Sequence, residues 1–233
     1  MKLIVAGVGP GAPELVSPAA LRAAQRADLL LLPCSHDGRP SVAGGAIQAE
    51  SLSVPTARLI FPMTRDAGAR DAELKKQLEA LRPQWEKAGT VVLPVIGDAA
   101  LYATGAYLCD VWRELEPDLE LELIPGISAH SLAAACARRF LALGEEILSI
   151  IPGTASPGRI EAALRASGVT ALYKPSALGD SLRDVVMRAG PWRGIVRVDR
   201  AGLPEERVLK GDEALRPVEE YLSVLLLWRG DNS

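Results

Sequence analysis

The residues best placed for chemistry in this chain are glycines that follow a short apolar run. The stretch LIVAGVGPGAP, from Leu3 to Pro13, places Gly7, Gly9 and Gly11 around a proline. An apolar run that stops at glycines is typical of a buried strand that enters a tight turn, where the backbone can approach a ligand closely. The next residues, PELVSPAALRAAQRAD (13–28), are predicted to form a helix whose free N–H groups face that turn. Alternatively, the glycines only join a strand to a helix.

A carboxylate follows a second apolar run. VVLPVI, at 91–96, is a predicted buried strand, and Gly97 and Asp98 end it. Open α/β sheets bind ligands at the carboxyl ends of their strands, which gives Asp98 a place in a site. The following residues, 99–115, are predicted to be helical, so Asp98 could instead cap that helix.

A third strand, at 121–124, ends in Pro125, Gly126, Ile127 and Ser128. Ser128 or Ser131 is predicted to cap the helix that contains SLAAACARR. Three turns of one kind, each after a strand, predict a single ligand cleft.

A dinucleotide site is the first alternative for these turns. Gly7, Gly9 and Ala12 satisfy G-x-G-x-x-G/A. Such a site also needs an acidic residue at the end of the second strand, about 20 residues on. Asp28 stands before the LLLLP strand rather than after it, and Pro10 stiffens the turn. We therefore treat a nicotinamide-dependent oxidoreductase as an alternative.

The elements that position these turns alternate between strand and helix. This order predicts an α/β fold with a parallel sheet, covered by helices on both faces, in the first half. Later strands come without long helices between them, which predicts a mixed sheet and a division into lobes 1–125 and 126–233. The other predicted strands are 29–32, one from Leu59, 147–151, 169–173, 194–198 and 224–228. The other predicted helices are 67–88, 158–166 and 178–189. Residues 35–53 are predicted to be irregular, with a short helical piece.

Composition narrows the class of protein. The 233 residues are 48% hydrophobic and 24% charged, which is typical of globular proteins. Aromatic residues make up only 4% and the net charge is −3, which argues against nucleic-acid binding. We expect neither a membrane span nor a signal peptide, and hence a cytoplasmic protein. The odd number of widely spaced cysteines (Cys34, Cys109 and Cys136) predicts neither disulfides nor a metal site.

Taken together and in order, three motifs carry a family resemblance. GVGPGAPELVSPAALRAAQRAD, IGDAALYAT and IPGISAHSLAAA resemble the tetrapyrrole methylases of the cobalamin and sirohaem pathways. LIFPMTRD, GDAALYAT and LYK (172–174) are most similar to precorrin-2 C20-methyltransferases. The resemblance implies a two-lobed α/β homodimer that binds S-adenosylmethionine between its lobes. It also implies methylation of C20 of precorrin-2 or cobalt-precorrin-2; alternatives are another methylase of the pathway and a tetrapyrrole carrier without turnover.

The resemblance also implies a set of cofactor-binding residues. They are Pro10, Ile96, Gly97, Asp98, Leu101, Ser128, Ala129, Tyr173, Lys174 and Ala201. The chain departs from the family pattern where Ala12 replaces a common Asp and Ala99 a common Pro. We expect cofactor binding to survive, because neither change touches Gly97 or Asp98.

Methyl transfer from a sulfonium to an electron-rich carbon is an in-line displacement, so positioning and desolvation can supply much of the rate. We therefore name no catalytic residue: His36 is interpreted as a surface residue and His130 as structural. The substrate carries acetate and propionate groups, which arginine binds well. The candidate substrate contacts are Gly9, Gly11, Arg39, Arg65 and Arg70.

Overall fold

The computed structural model describes residues 1–62, 64 and 66–230. Its contacts group the chain into two compact units, Met1–Ser128 and Ala129–Ser233. Among the described residues, no helix has the length and apolar character needed to cross a membrane.

The first unit is built on a five-stranded parallel sheet, which confirms the prediction for this half. Its strands follow the order β3-β2-β4-β1-β5, so the predicted site strands β4, β1 and β5 are neighbours. The strands are β1 (Lys2–Gly7), β2 (Leu29–Cys34), β3 (Thr56–Ile60), β4 (Thr90–Val95) and β5 (Glu120–Ile124). The helices are α1 (Pro18–Gln25), α2 (Val42–Ala46), α3 (Ala67–Trp85) and α4 (Gly105–Leu115).

Alternating residues of β1 reach two different cores. Leu3 and Val5 belong to a cluster that includes Leu74 and Leu78 of α3 and Trp112 of α4. Ile4 and Ala6 belong to a second cluster with residues of α1 and α2. Because successive side chains of a strand point to opposite faces, helices cover both faces of the sheet, as predicted.

The second unit contains a mixed sheet, as predicted, with the order β6-β7-β10-β8-β9. β6 and β7 are parallel, whereas the other pairs are antiparallel. Its strands are β6 (Leu148–Pro152), β7 (Val169–Tyr173), β8 (Gly194–Asp199), β9 (Arg207–Lys210) and β10 (Ser223–Trp228). Its helices are α5 (Ala129–Ala137), α6 (Pro157–Ala166) and α7 (Leu182–Ala189). β9 was not predicted.

Three predicted helices are too long at their amino ends. The helix predicted over 13–28 is a 3₁₀ turn at Pro13–Leu15 followed by α1, because Ser17 caps a new start by accepting the N–H of Ala20. The helix predicted over 178–189 begins as a 3₁₀ segment, interrupted at Gly179 (φ +50°), and α7 starts only at Leu182.

The helix predicted over 99–115 begins at Gly105. Tyr102 has a φ of +52°, a left-handed conformation that a right-handed helix cannot contain. Residues 98–104 therefore form a loop, and Asp98 is not the cap of α4.

Candidate functional site

The carboxyl ends of β1 and β4 are joined directly through their turns. The N–H of Gly97 donates to the carbonyl of Gly9 at 2.7 Å, and the N–H of Gly9 donates to the carbonyl of Gly97 at 3.2 Å. Both glycines have positive φ values, +71° for Gly9 and +78° for Gly97, which other residues adopt only with strain. The sequence-predicted turns after β1 and β4 thus form one paired structure.

The turn after β5 lies against the same pair. A Cβ atom built on Gly7 would lie 2.6 Å from the nitrogen of Gly126 and 2.8 Å from the carbonyl oxygen of Gly97. One built on Gly126 would overlap the same Gly97 oxygen. The three backbones are therefore in direct contact, and only glycine fits at positions 7 and 126. The sequence analysis places both glycines in the turns but does not count them among the cofactor or substrate contacts.

Asp98 connects two of these turns through its carboxylate. Oδ1 accepts the N–H of Ala100 at 2.7 Å, and Oδ2 accepts the N–H of Gly126 at 3.2 Å. The N–H of Leu101 donates to the main-chain carbonyl of Asp98 at 3.4 Å, which closes the turn. The half-buried carboxylate thus holds the loop after β4 against the loop after β5.

The other candidate residues of the first unit surround this junction. Pro10 and Gly11 are buried in the turn after β1, and Ile96 is half-buried and packs on the α1–α2 core. Ser128 directly precedes α5, while Ser131 lies inside that helix, so the position before Ala129 is the one open to a capping residue. One side of the junction is open: nothing described lies within 4 Å of a Cβ built on Gly97.

In the second unit, Tyr173 ends β7 and contacts the start of α5. Its hydroxyl oxygen accepts the main-chain N–H of His130 at 3.2 Å and lies 2.8 Å from Nδ1 of the same residue. Its carbonyl accepts the N–H of Gly153 at 2.7 Å. The end of β7 is therefore held from two directions.

Lys174, Ala129 and Ala201 lie near that strand end or pack on the same core. Lys174 has a φ of +53°, and its Nζ lies 5.7 Å from the centre of the Tyr221 ring. Ala129, Tyr173 and Ala201 all pack against the core formed by α5, β8 and β10. The structure thus brings three of the four candidate residues of this unit to one core. The fourth, Lys174, directly follows Tyr173 in the sequence.

The loop that contains Ala201 is tied to α5 through a cysteine and a glutamate. Sγ of Cys136 donates to Oε2 of Glu206 at 3.2 Å, and the same oxygen accepts the N–H of Gly202 at 2.8 Å. Burial, followed by the hydrogen bond to Glu206, raises the pKa of the Cys136 thiol to about 11. This thiol is protonated at neutral pH and is a poor nucleophile.

The candidate arginines differ in their surroundings. Arg70 pairs with Asp71 at 2.8 Å and lies 3.8 Å from the centre of the Tyr107 ring, so its charge is already partly matched. Arg39 is exposed, and its carbonyl accepts a hydrogen bond from Arg58 at 2.8 Å. Arg65 lies outside the described residues. Arg58, which no sequence pattern had singled out, lines a cavity of about 780 Å³ beside α2.

The chain thus belongs to an α/β class with a parallel sheet, whose adjacent strands end in glycine turns in contact with one another, and a second, mixed sheet. Residues 2–215 match the family model described as Tetrapyrrole (Corrin/Porphyrin) Methylases, and the chain belongs to that family.

The chain is 30% identical over 98% of its length to a probable cobalt-precorrin-2 C(20)-methyltransferase of Methanocaldococcus jannaschii, 96% of which is covered. It is 28% identical over 88% of its length to the cobalt-precorrin-2 C(20)-methyltransferase of Salmonella typhimurium, 86% of which is covered. Among solved structures, it resembles uroporphyrin-III C-methyl transferase from Thermus thermophilus complexed with S-adenyl homocysteine. That likeness has a TM-score of 0.67 at 17% identity and covers 98% of this chain and 92% of the other, and it supports the fold.

Proposed function

We propose that this protein transfers the methyl group of S-adenosylmethionine to C20 of precorrin-2 or cobalt-precorrin-2, a step of cobalamin biosynthesis. Family membership and the names of the two relatives support the reaction. The observation that carries the proposal is the junction of Gly9, Gly97, Gly126 and Asp98 at the ends of three adjacent strands.

The junction fits the proposed cofactor in two respects. The backbone at Gly97 is open on the side where a Cβ would stand, so a ligand can approach main-chain groups closely. Asp98 supplies a carboxylate, which suits a cationic ligand. Bound S-adenosylmethionine would supply an electrophilic methyl group on its sulfonium.

We assign cofactor contacts to the same residues that the resemblance implies. In the first unit these are Pro10, Ile96, Gly97, Asp98, Leu101 and Ser128. In the second unit they are Ala129, Tyr173, Lys174 and Ala201. Under this proposal, 1–125 carries the glycine-rich turn after β1 and the substrate contacts, and 126–233 binds the cofactor together with residues 96–101.

The residues of the chain act by binding and orienting the reactants. The fixed turns hold the cofactor without reorganisation at the moment of transfer, and exclusion of water favours the displacement. The proton that leaves C20 after methylation passes to water, so no side chain is needed as a base. Gly9, Gly11, Arg39, Arg65 and Arg70 are the proposed substrate contacts; Arg70 would have to exchange its bond to Asp71 for a substrate carboxylate.

Calorimetry and product analysis test this function. The protein should bind S-adenosylmethionine and its demethylated product but not NAD, and binding of NAD alone would contradict the proposal. With a ¹³C-labelled methyl donor, NMR of the product should place the new methyl group on C20. A methyl group on another ring carbon would indicate another methylase of the pathway, and cofactor binding without any methyl addition would indicate a carrier.

We further propose that the enzyme is a cytoplasmic homodimer, on the basis of the family resemblance. Light scattering at micromolar concentration should give twice the chain mass of 24.7 kDa. A monomer mass at that concentration would overturn this part of the proposal.

A further inference from the structure

The hydroxyl group of Tyr173 makes two hydrogen bonds to one residue, His130. A main-chain N–H can only donate, so the bond of 3.2 Å from the His130 nitrogen uses the hydroxyl oxygen as acceptor. The hydroxyl also lies 2.8 Å from Nδ1 of His130, and an imidazole that carries its single ring proton on Nε2 accepts the hydroxyl hydrogen there. The two rings meet edge to face, with centroids 6.0 Å apart.

The bond between His130 and Tyr173 joins the start of α5 to the end of β7. His130 is the second residue of α5, and Tyr173 is the last residue of β7. Ala129 and Lys174, both proposed cofactor contacts, are their immediate neighbours in the chain. The backbone at Lys174 is already in a left-handed conformation, and Gly153 binds the carbonyl of Tyr173. A side-chain bond between helix start and strand end therefore fixes the part of this unit to which we assign cofactor contacts.

We propose that His130 is a positioning residue that holds the Tyr173 side chain, through Nδ1, in the orientation needed to bind the cofactor. This inference rests on the proposed function, because the cofactor contact of Tyr173 belongs to that proposal. The sequence had indicated only a structural histidine; a purely structural role would require bulk at position 130 but no acceptor at the Nδ1 position.

Asparagine and glutamine separate these two roles. The side-chain oxygen of Asn can occupy the place of Nδ1 and accept the Tyr173 hydroxyl, whereas the longer Gln places its amide nearer to Nε2. We expect His130→Asn to keep the dissociation constant for S-adenosylmethionine within about 2-fold. His130→Gln and His130→Ala should weaken binding by about 3- to 10-fold, the range of one hydrogen bond.

Tyr173→Phe removes the hydroxyl and with it both bonds to His130. It should weaken cofactor binding at least as much as His130→Ala, and the double variant should bind no more weakly than Tyr173→Phe, because the side-chain bond that His130→Ala removes is already lost there. In His130→Ala, KM for the cofactor should rise by a larger factor than kcat falls. Melting temperatures identify any variant that fails to fold, and Tyr173→Phe then carries the test.

The outcomes separate the two proposals. If the parent protein binds S-adenosylmethionine and all four single variants bind it equally well, the positioning role is wrong and the function stands. Additive losses in the double variant also refute the coupling between the two side chains. If the parent binds no S-adenosylmethionine, the proposed function fails, and the role of His130 fails with it.

Discussion

Asp98→Asn tests the junction of the three turns most directly. The carboxylate offers two oxygens, one for the N–H of Ala100 and one for the N–H of Gly126, whereas an amide offers a single acceptor oxygen. Whichever bond is kept, the amide NH₂ then faces a main-chain N–H that has lost its acceptor. The N–H of Ala100 is exposed, so water can replace its acceptor, whereas leaving the half-buried N–H of Gly126 unpaired costs about 1–3 kcal/mol.

This free energy has two measurable consequences. For a chain of this length, 1 kcal/mol corresponds to roughly 2–4 °C in melting temperature, so Asp98→Asn should melt up to about 12 °C below the parent. The substitution also removes the negative charge from the proposed site of a cationic cofactor. Loss of a charge-assisted contact of about 1.5–3 kcal/mol would raise the dissociation constant for S-adenosylmethionine roughly 10- to 150-fold.

Asp28→Asn is the matched control. Oδ2 of Asp28 accepts the N–H of Thr90 at 2.8 Å, so it also joins a loop to β4, but at the amino end of the strand. Calorimetry should show unchanged cofactor affinity for Asp28→Asn and a large loss for Asp98→Asn. Equal affinity in Asp98→Asn and the parent, or an equal loss in both variants, would refute the placement of the cofactor at the Gly97 turn.

Three further substitutions or measurements test other parts of the structure. Gly126→Ala should abolish cofactor binding and lower the melting temperature, because its Cβ would meet the Gly97 carbonyl. Gly158→Ala in α6, where the space is open, should instead add about 0.4–1 kcal/mol of stability. Similar melting temperatures for the two variants would contradict this prediction. Asp199→Asn should lower the free energy of unfolding, measured in urea, by about 3–5 kcal/mol, because the buried Asp199 carboxylate pairs with the guanidinium of Arg197 at 3.0 Å. A loss under about 1 kcal/mol would contradict this prediction. At pH 8, alkylation of Cys136 should be roughly 100-fold slower than alkylation of a thiol with the ordinary pKa of 9.0. Cys136 should react faster in Glu206→Gln than in the parent. A rate for Cys136 equal to that of the ordinary thiol would refute the assigned pKa. Since folding raises this pKa, the stability that the neutral thiol contributes is complete below about pH 9 and is lost as the pH rises towards 11.

The strands were predictable because their signal is local. VVLPVI and the run from Leu3 carry enough apolar residues in sequence to identify buried strands, and the glycines after them mark the turns. β9, by contrast, is a four-residue strand at the edge of the mixed sheet, with Arg207 and Lys210 exposed at its ends. A short, half-polar edge strand has too little periodicity to be recognised from sequence.

Positions that depend on distant partners were harder to predict. Arg58 gave no signal in the sequence, since its place beside the cavity next to α2 follows from the pairing of β3 with β2. His130 looked structural because its partner Tyr173 lies 43 residues away, at the end of another strand. Sequence spacing says which residues follow a strand, but not which side chains the fold then brings into contact.

Asp98 shows how the fold decides between two interpretations that the sequence leaves open. Its position after a strand and before a helical pattern allows a ligand contact or a helix cap, which is a common role of aspartate there. The fold instead presents the N–H of Gly126, 28 residues later, to the same carboxylate. Because that bond and the turn at Ala100 hold residues 98–101 in place, the helix starts at Gly105 and the loop stays at the carboxyl edge of the sheet. The departure from helix therefore leaves residues 98–104 as a loop at this edge, where we propose that Asp98 contacts the cofactor.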